Sequence, residues 1–317
     1  MSECLLQNQY EERTASVGSL SLGWAAGPGP NFPQAADIIK IHAIQTGRVR
    51  IKQSQLKRRA GGPLRLLFDP QWSEWLPIFA WVIEHPEGII VVDTGETSRT
   101  ATPGYHPRWH PFYRRATGFD VKPEDEIGPQ LRGMGIGPKD VRTVILTHLH
   151  TDHAGGLHHF PHSKILVPGR EYLSARGWLG KLNGYLPHRW PAWFAPVAIP
   201  FVPAPHGPFA QSYPVTKAGH VLVVPTPGHT PDHVSVIVQT AGRNYFLAGD
   251  ASYSEAQLLE RHADGVSLHP KTSLATLRTI REYLASTSTV FLPSHDPASA
   301  TRLRAGQITK PQFQSQT

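Results

Sequence analysis

Short apolar runs bounded by glycine, proline or polar residues recur along the chain and predict strands over 38–44, 79–83, 89–92, 144–146, 165–167, 221–224, 234–238, 245–247 and 290–292. Helical spacing is rarer. Leu274, Leu277, Ile280 and Leu284 recur at three- to four-residue intervals and predict a helix over 273–285, with further helices over 125–134, over 171–174 and from Ala154 onward. Strands thus outnumber helices in a mixed α/β chain without an evident internal repeat.

Two stretches have no clean period. Residues 64–77 and 185–196 are rich in aromatics and proline, and proline limits membership of helices and central strands. Long stiffened loops of this kind are commonly functional. Trp72, Trp75, Trp190 and Trp193 are therefore the candidate walls of an apolar pocket. A subunit interface competes on even terms, because aromatics are enriched there too, and a homodimer is the assembly it would build.

The candidate chemistry sits where strands end. Thr147-His-Leu-His-Thr-Asp-His-Ala-Gly-Gly156 follows the apolar run 144–146, so His148 and His150, two residues apart, can point to one side and share a metal. Asp152 and His153 fall where a helix is expected to begin near Ala154, which would aim them toward a second ion. His229, Asp250 and His295 each follow another apolar run. Four strand-like segments ending in potential ligands are what a site beyond the carboxyl ends of strands requires. Imidazole and carboxylate donors suit zinc, with iron, cobalt or manganese as alternatives, and the donor set contains no thiolate.

With these residues the sequence resembles the metallo-β-lactamase superfamily, over roughly residues 36–300. The resemblance implies a four-layer αββα sandwich. It implies one metal held by His148, His150 and His229, another by Asp152, His153 and His295, and Asp250 bridging both. Asp93, in Ile89-Ile-Val-Val-Asp-Thr-Gly95, matches the early strand-end D-T-G and is expected to support a ligand histidine from behind. His233 is expected to do the same by analogy, while His158, His159 and His162 read as helix-surface or capping residues.

Within the superfamily, Asp250-Ala-Ser-Tyr253 resembles the N-acyl homoserine lactonases, the quorum-quenching enzymes, in which a tyrosine three residues beyond the bridging aspartate faces the substrate carbonyl. Residues 79–88 and Pro293-Ser-His-Asp296 are similar to the same branch. The implied reaction opens a lactone by attack of a hydroxide shared between two divalent metals, with Tyr253 steadying the oxyanion and Asp152 passing a proton to the leaving oxygen. The same nucleophile serves glyoxalase II-like thioesterases, phosphotriesterase-like enzymes and β-lactamases, and nucleic-acid-processing members share the scaffold.

Composition trims the alternatives. The chain of 317 residues is 39% hydrophobic, enough to fill one large core, and ligands scattered from 148 to 295 must converge in one domain, expected over 36–305. Residues 1–35 read as an arm that is disordered or reaches a second subunit, and 306–317 as a tail. The 28 glycines and 30 prolines belong in loops. Cys4 is the single cysteine, which rules out an intrachain disulfide and agrees with a reducing cytoplasm. No basic segment precedes an apolar one near the start, and no apolar run reaches membrane-spanning length, so neither export nor a membrane partner is expected. The net charge of +7 includes the clusters Lys57-Arg-Arg59 and Arg114-Arg115, which lack interleaved stacking aromatics, so a small lactone rather than nucleic acid is the expected partner. The charge itself has no functional account at this level.

Overall fold

The computed structural model describes residues 39–312; the expected arm at 1–35 and the end of the tail lie outside the described residues. Among the described residues, twelve strands form two sheets. The first contains β1 (Lys40–Ile51), β2 (Leu76–Glu84), β3 (Ile89–Val92), β4 (Thr117–Asp120), β5 (Val141–Ile145), β6 (Lys164–Val167) and β7 (Val197–Ala198), in the order β4-β1-β2-β3-β5-β6-β7. The second contains β8 (Tyr213–Pro214), β9 (Val221–Pro225), β10 (Val234–Gln239), β11 (Asn244–Gly249) and β12 (Thr289–Pro293), in the order β12-β11-β10-β9-β8.

Strand alternation builds the layers. Trp81, Ile83, Ile145 and Leu166 face Val223, Val236, Leu247 and Leu292 in the core between the sheets. Their neighbours point outward. Val82, Val91 and Val144 pack with Ile127, Leu131 and Leu157, whereas Leu222, Ile237 and Phe246 pack under Leu277, Ile280 and Leu284 of the helix Pro270–Ser286. Each sheet is thus buried on both faces, which is why its strands read as continuous apolar runs. The result is the expected αββα sandwich.

All nine predicted strands are present, several with longer bounds. The sequence reading misses β4, β7 and β8. Thr117-Gly-Phe-Asp120 carries one large apolar residue and pairs at the sheet edge, antiparallel to β1, so it has no pattern to read. One helix start also shifts. The helix expected near Ala154 is already under way at Thr151, with His150 as its N-terminal flanking residue and a 3₁₀ turn following over Gly155–His159. The first residues of the expected tail are pinned: Thr309 is buried and its N–H donates to the Thr289 carbonyl at 2.9 Å.

Candidate metal centre

Asp93 shows how the fold aims the site. β3 ends at Val92, and Asp93 takes a left-handed φ of 59°, which Asp tolerates better than most residues. Its carboxylate is thereby turned toward the motif. Thr147 donates to it through both N–H (2.8 Å) and hydroxyl (2.9 Å to Oδ2), and His153 Nδ1 lies 2.8 Å from Oδ2. The second nitrogen of His153 is left free to point inward.

Three of the other four histidines are tied by one nitrogen in the same way, and the outer nitrogen of the fourth, His229, faces a carboxylate without a hydrogen bond. His148 Nδ1 lies 3.1 Å from the Thr147 hydroxyl, His150 Nε2 3.3 Å from the Asn183 carbonyl, and His295 Nδ1 2.9 Å from the Pro77 carbonyl. His229 Nδ1 sits 3.5 Å from Asp264 Oδ2. Such outer contacts fix tautomer and ring orientation. The inward nitrogens then converge. His150 Nδ1 lies 3.0 Å from both His148 Nε2 and His229 Nε2, and the donor atoms of all three lie within 4.8 Å of one another. Asp152, His153 and His295 form a second such group.

Asp250 stands between the groups. Its Oδ1 is 3.2 Å from His153 Nε2 and from His295 Nε2, and its Oδ2 is 3.4 Å from His229 Nε2. Asp152 Oδ2 reaches His295 Nε2 at 3.5 Å. His233 contributes from behind: its Nε2 accepts the Asp250 N–H at 3.0 Å, so Nδ1 carries the proton toward the Thr226 hydroxyl at 2.9 Å.

Electrostatics shows what this cluster can bind. Burial and the crowding of His153, His150 and His229 push His148 well below the usual imidazole range, and burial with His229 pushes His150 down to about 4. Both therefore offer neutral nitrogens. Burial disfavours charge on Asp250, yet His295, His153 and His229 outweigh it and hold the carboxyl well below its usual range. His153 Nε2 and Asp250 Oδ1 are nonetheless buried without a hydrogen-bond partner. Orphaned inward nitrogens converging around a buried carboxylate fit divalent cations.

The cluster forms part of the wall of a cavity of about 840 Å³, together with Leu66, Leu67, Phe112, Phe119 and Val266. Tyr253 also lines it, with its ring 5.8 Å from His229 and 5.7 Å from His295, and its hydroxyl accepts from Gln55 Nε2 at 3.1 Å.

The four tryptophans expected as walls do not line this cavity. Trp72 packs beneath Lys52 and Arg50, at 3.6 and 5.0 Å from its ring centre, and Trp75 beneath Arg50 at 5.1 Å. Trp190 packs between Tyr172 and Phe194 against the outer core, and Trp193 is exposed. The correction is one of position within the segments: Leu64, Leu66 and Leu67 of the first and Tyr185 of the second supply the wall. Composition located the loops, but side-chain direction in an aperiodic loop has no sequence signal.

Asp264, Gln55 and Glu171 were not foreseen. Glu171 is fully buried and accepts from Leu149 N–H at 3.2 Å and Tyr185 hydroxyl at 2.8 Å, while the Tyr185 ring stacks on His150 at 4.9 Å. None of the three carries a motif. His158 and His159 have a partner as well, both reaching Glu126 Oε2, at 3.1 and 2.7 Å.

The family model described as the metallo-β-lactamase superfamily matches residues 73–295. The chain belongs to that superfamily. It is 25% identical over 82% of its length to the N-acyl homoserine lactonase AttM of Azorhizobium caulinodans, covering 94% of that protein. It is 27% identical to the N-acyl homoserine lactonase AiiA of Bacillus thuringiensis subsp. kurstaki, covering 81% of this chain and 93% of the relative. Among solved structures, an N-acyl homoserine lactone hydrolase with the product N-hexanoyl-L-homoserine at its catalytic metal centre superposes with a TM-score of 0.67 at 23% identity, over 82% of this chain and 94% of that one. At that identity the superposition shows the shared fold.

Proposed function

We propose that this superfamily member is a binuclear metal-dependent hydrolase that opens the ring of N-acyl homoserine lactones, and so removes quorum signals. The observation that carries the reading is Tyr253, held by Gln55 at the junction of the donor cluster and an apolar cavity. The two curated lactonase relatives, aligned over four-fifths of the chain, support it.

His148, His150 and His229 would hold one ion and Asp152, His153 and His295 the other, with Asp250 shared by both, a grouping that the convergence of their donor atoms supports. When bound, a pair of divalent ions, preferentially zinc, supplies an activated water near neutral pH and favours developing negative charge. The protein supplies orientation and protons. Burial, with the Asp250 and Asp264 carboxylates, raises the Tyr253 hydroxyl well above the usual phenol range, so it stays protonated. Its oxygen already accepts from Gln55, which leaves its own hydrogen to donate to the substrate carbonyl. Asp152 is the least buried ligand of its group and faces the cavity, so it can return a proton to the ring oxygen as the ester bond breaks.

Tyr253→Phe tests the assignment by removing one hydroxyl and no ligand. The expected loss is in kcat for lactone opening, on the order of tenfold to a thousandfold, with metal content unchanged. Full activity at full metal occupancy would reject the role. Preference for S-lactoylglutathione, paraoxon or nitrocefin over acyl homoserine lactone would reject the substrate class.

A further inference from the structure

The mouth of the cavity is ringed by apolar side chains that the site itself leaves in water. Leu64 is 70% exposed, Trp109 57%, Trp178 71% and Leu179 60%, although all four line the cavity. Leu182 and Leu268 are exposed on the same rim. An exposed apolar cluster around one opening marks an interaction surface rather than scattered surface residues.

The three segments that supply most of this rim are also basic. Residues 57–68 set Lys57, Arg59 and Arg65 beside Leu64 and Phe68; residues 107–116 set Arg108, Arg114 and Arg115 beside Trp109; residues 173–182 set Arg176 and Lys181 beside Trp178, Leu179 and Leu182. These eight basic residues are exposed, a ninth, Arg58, is half-buried and donates to the Ser267 carbonyl at 2.7 Å, and the three segments contain no Asp or Glu. Together they concentrate positive charge on one rim, with no acidic residue in the same segments to balance it.

We infer that this rim docks on an anionic lipid surface, with the aliphatic and tryptophan side chains at the headgroup boundary and the basic residues over the lipid charges. Charge complementarity selects the occupant. A second copy seated on the same face would bring two unbalanced basic rims together. Nucleic acid would match the charge but not the leucines, which cannot stack on bases. Apolar residues flanked by Lys and Arg are the composition of interfacial segments, and tryptophan settles at that depth. The sequence argued against a membrane partner because no segment spans one, and among the described residues no helix is long and apolar enough to cross a membrane. Peripheral docking needs no span. It would open the cavity toward the acyl region of a bilayer, and it stands or falls independently of the lactone assignment.

The test is flotation of the full-length metal-loaded protein with vesicles of phosphatidylcholine alone or mixed with phosphatidylserine. Binding is expected to the mixed vesicles only, to weaken with added salt, and to fall on the order of a hundredfold in Lys57→Gln/Arg115→Gln/Lys181→Gln, whose side chains lie outside the cavity wall. A second variant, Trp109→Ser/Trp178→Ser, should lose the quenching of tryptophan fluorescence by brominated lipid, since these are the tryptophans of the rim. Unchanged circular dichroism shows that both variants fold. Equal binding to neutral vesicles, binding to neither, or full binding by the triple-Gln variant would overturn the inference. So would salt-dependent binding of RNA, or self-association through this face, without vesicle binding.

Discussion

Glu126 illustrates how a single carboxylate outside the centre supports it. Its Oε1 accepts from the Thr97 hydroxyl (3.1 Å) and from Ser98 N–H (2.8 Å), and Oε2 faces His158 and His159, so it ties the loop after β3 to the turn after the histidine motif. Burial opposes its charge, but the Ser98 donors and the two histidines prevail and hold it down at about 2, against an ordinary value of 4.5. A depressed folded-state pKa stabilises the fold above the unfolded pKa, and that contribution is lost as pH falls through the folded one. Glu126→Gln should therefore be less stable at pH 7 by on the order of 1–2 kcal/mol, solvent screening included. The gap should close as pH falls from about 4.5 through 2. Urea unfolding of both proteins across that range measures it, and a gap that ignored pH would mean lost packing rather than lost charge.

At the scale of elements, the strand ends are what convert a linear motif into a site. β11 ends at Gly249 with φ 55°, and a Cβ there would lie 2.7 Å from His233 Nε2 and 2.9 Å from the Thr147 side chain. Only glycine permits that crossing. Gly249→Ala should cost on the order of 2–4 kcal/mol, combining left-handed strain with overpacking, and should reduce metal occupancy because Asp250 and His148 adjoin the clash. Wild-type occupancy in a destabilised variant would detach this turn from the site. The loops make a second prediction. With Leu66, Leu67, Phe112 and Phe119 as walls, kcat/KM should rise with acyl length, each buried methylene contributing up to about 0.8 kcal/mol. Trp72→Ala and Trp190→Ala should leave that slope intact, and a profile flat from short to long chains would remove the cavity from substrate binding. Long periodic elements such as the helix Pro270–Ser286 were legible, and Ile127–Gly133 fell inside the expected 125–134, while the short helices Gln53–Leu56, Pro111–Arg115 and Glu255–Glu260 and the edge strand β4 were not, since so short a segment seldom completes a pattern.

At the scale of the whole molecule, the centre joins the two sheets: His148 and His153 follow β5 in one, while His229, Asp250 and His295 follow β9, β11 and β12 in the other. Cations held there would therefore stabilise the sandwich as well as catalyse. Chelation should lower the thermal midpoint and zinc restore it, because a ligand that binds only the folded state adds stability by mass action. Metal-replete protein should carry two ions per chain, and Asp250→Ala should lower both. One ion per chain in fully active protein would refute the binuclear assignment.

The sequence by itself determined nine of the strands and, with the family resemblance, singled out seven candidate donors, because buried strands write apolar runs and most of those residues stand just past one. Thr147-His-Leu-His-Thr-Asp-His153 is local, so neighbouring residues and backbone geometry suffice to send His150 to one donor group and Asp152 and His153 to another. Only the tertiary structure decided the partners: Asp264 behind His229, Gln55 on Tyr253 and Glu171 beneath Leu149 are 35, 198 and 22 residues from the groups they hold. Only the fold, too, turned Trp72, Trp75, Trp190 and Trp193 away from the cavity and set Leu64, Trp109 and Trp178 around its mouth. The physical reason is that a chain's hydrophobic period records which face of a regular element is buried, whereas contacts between distant loops are fixed by packing that no single segment encodes.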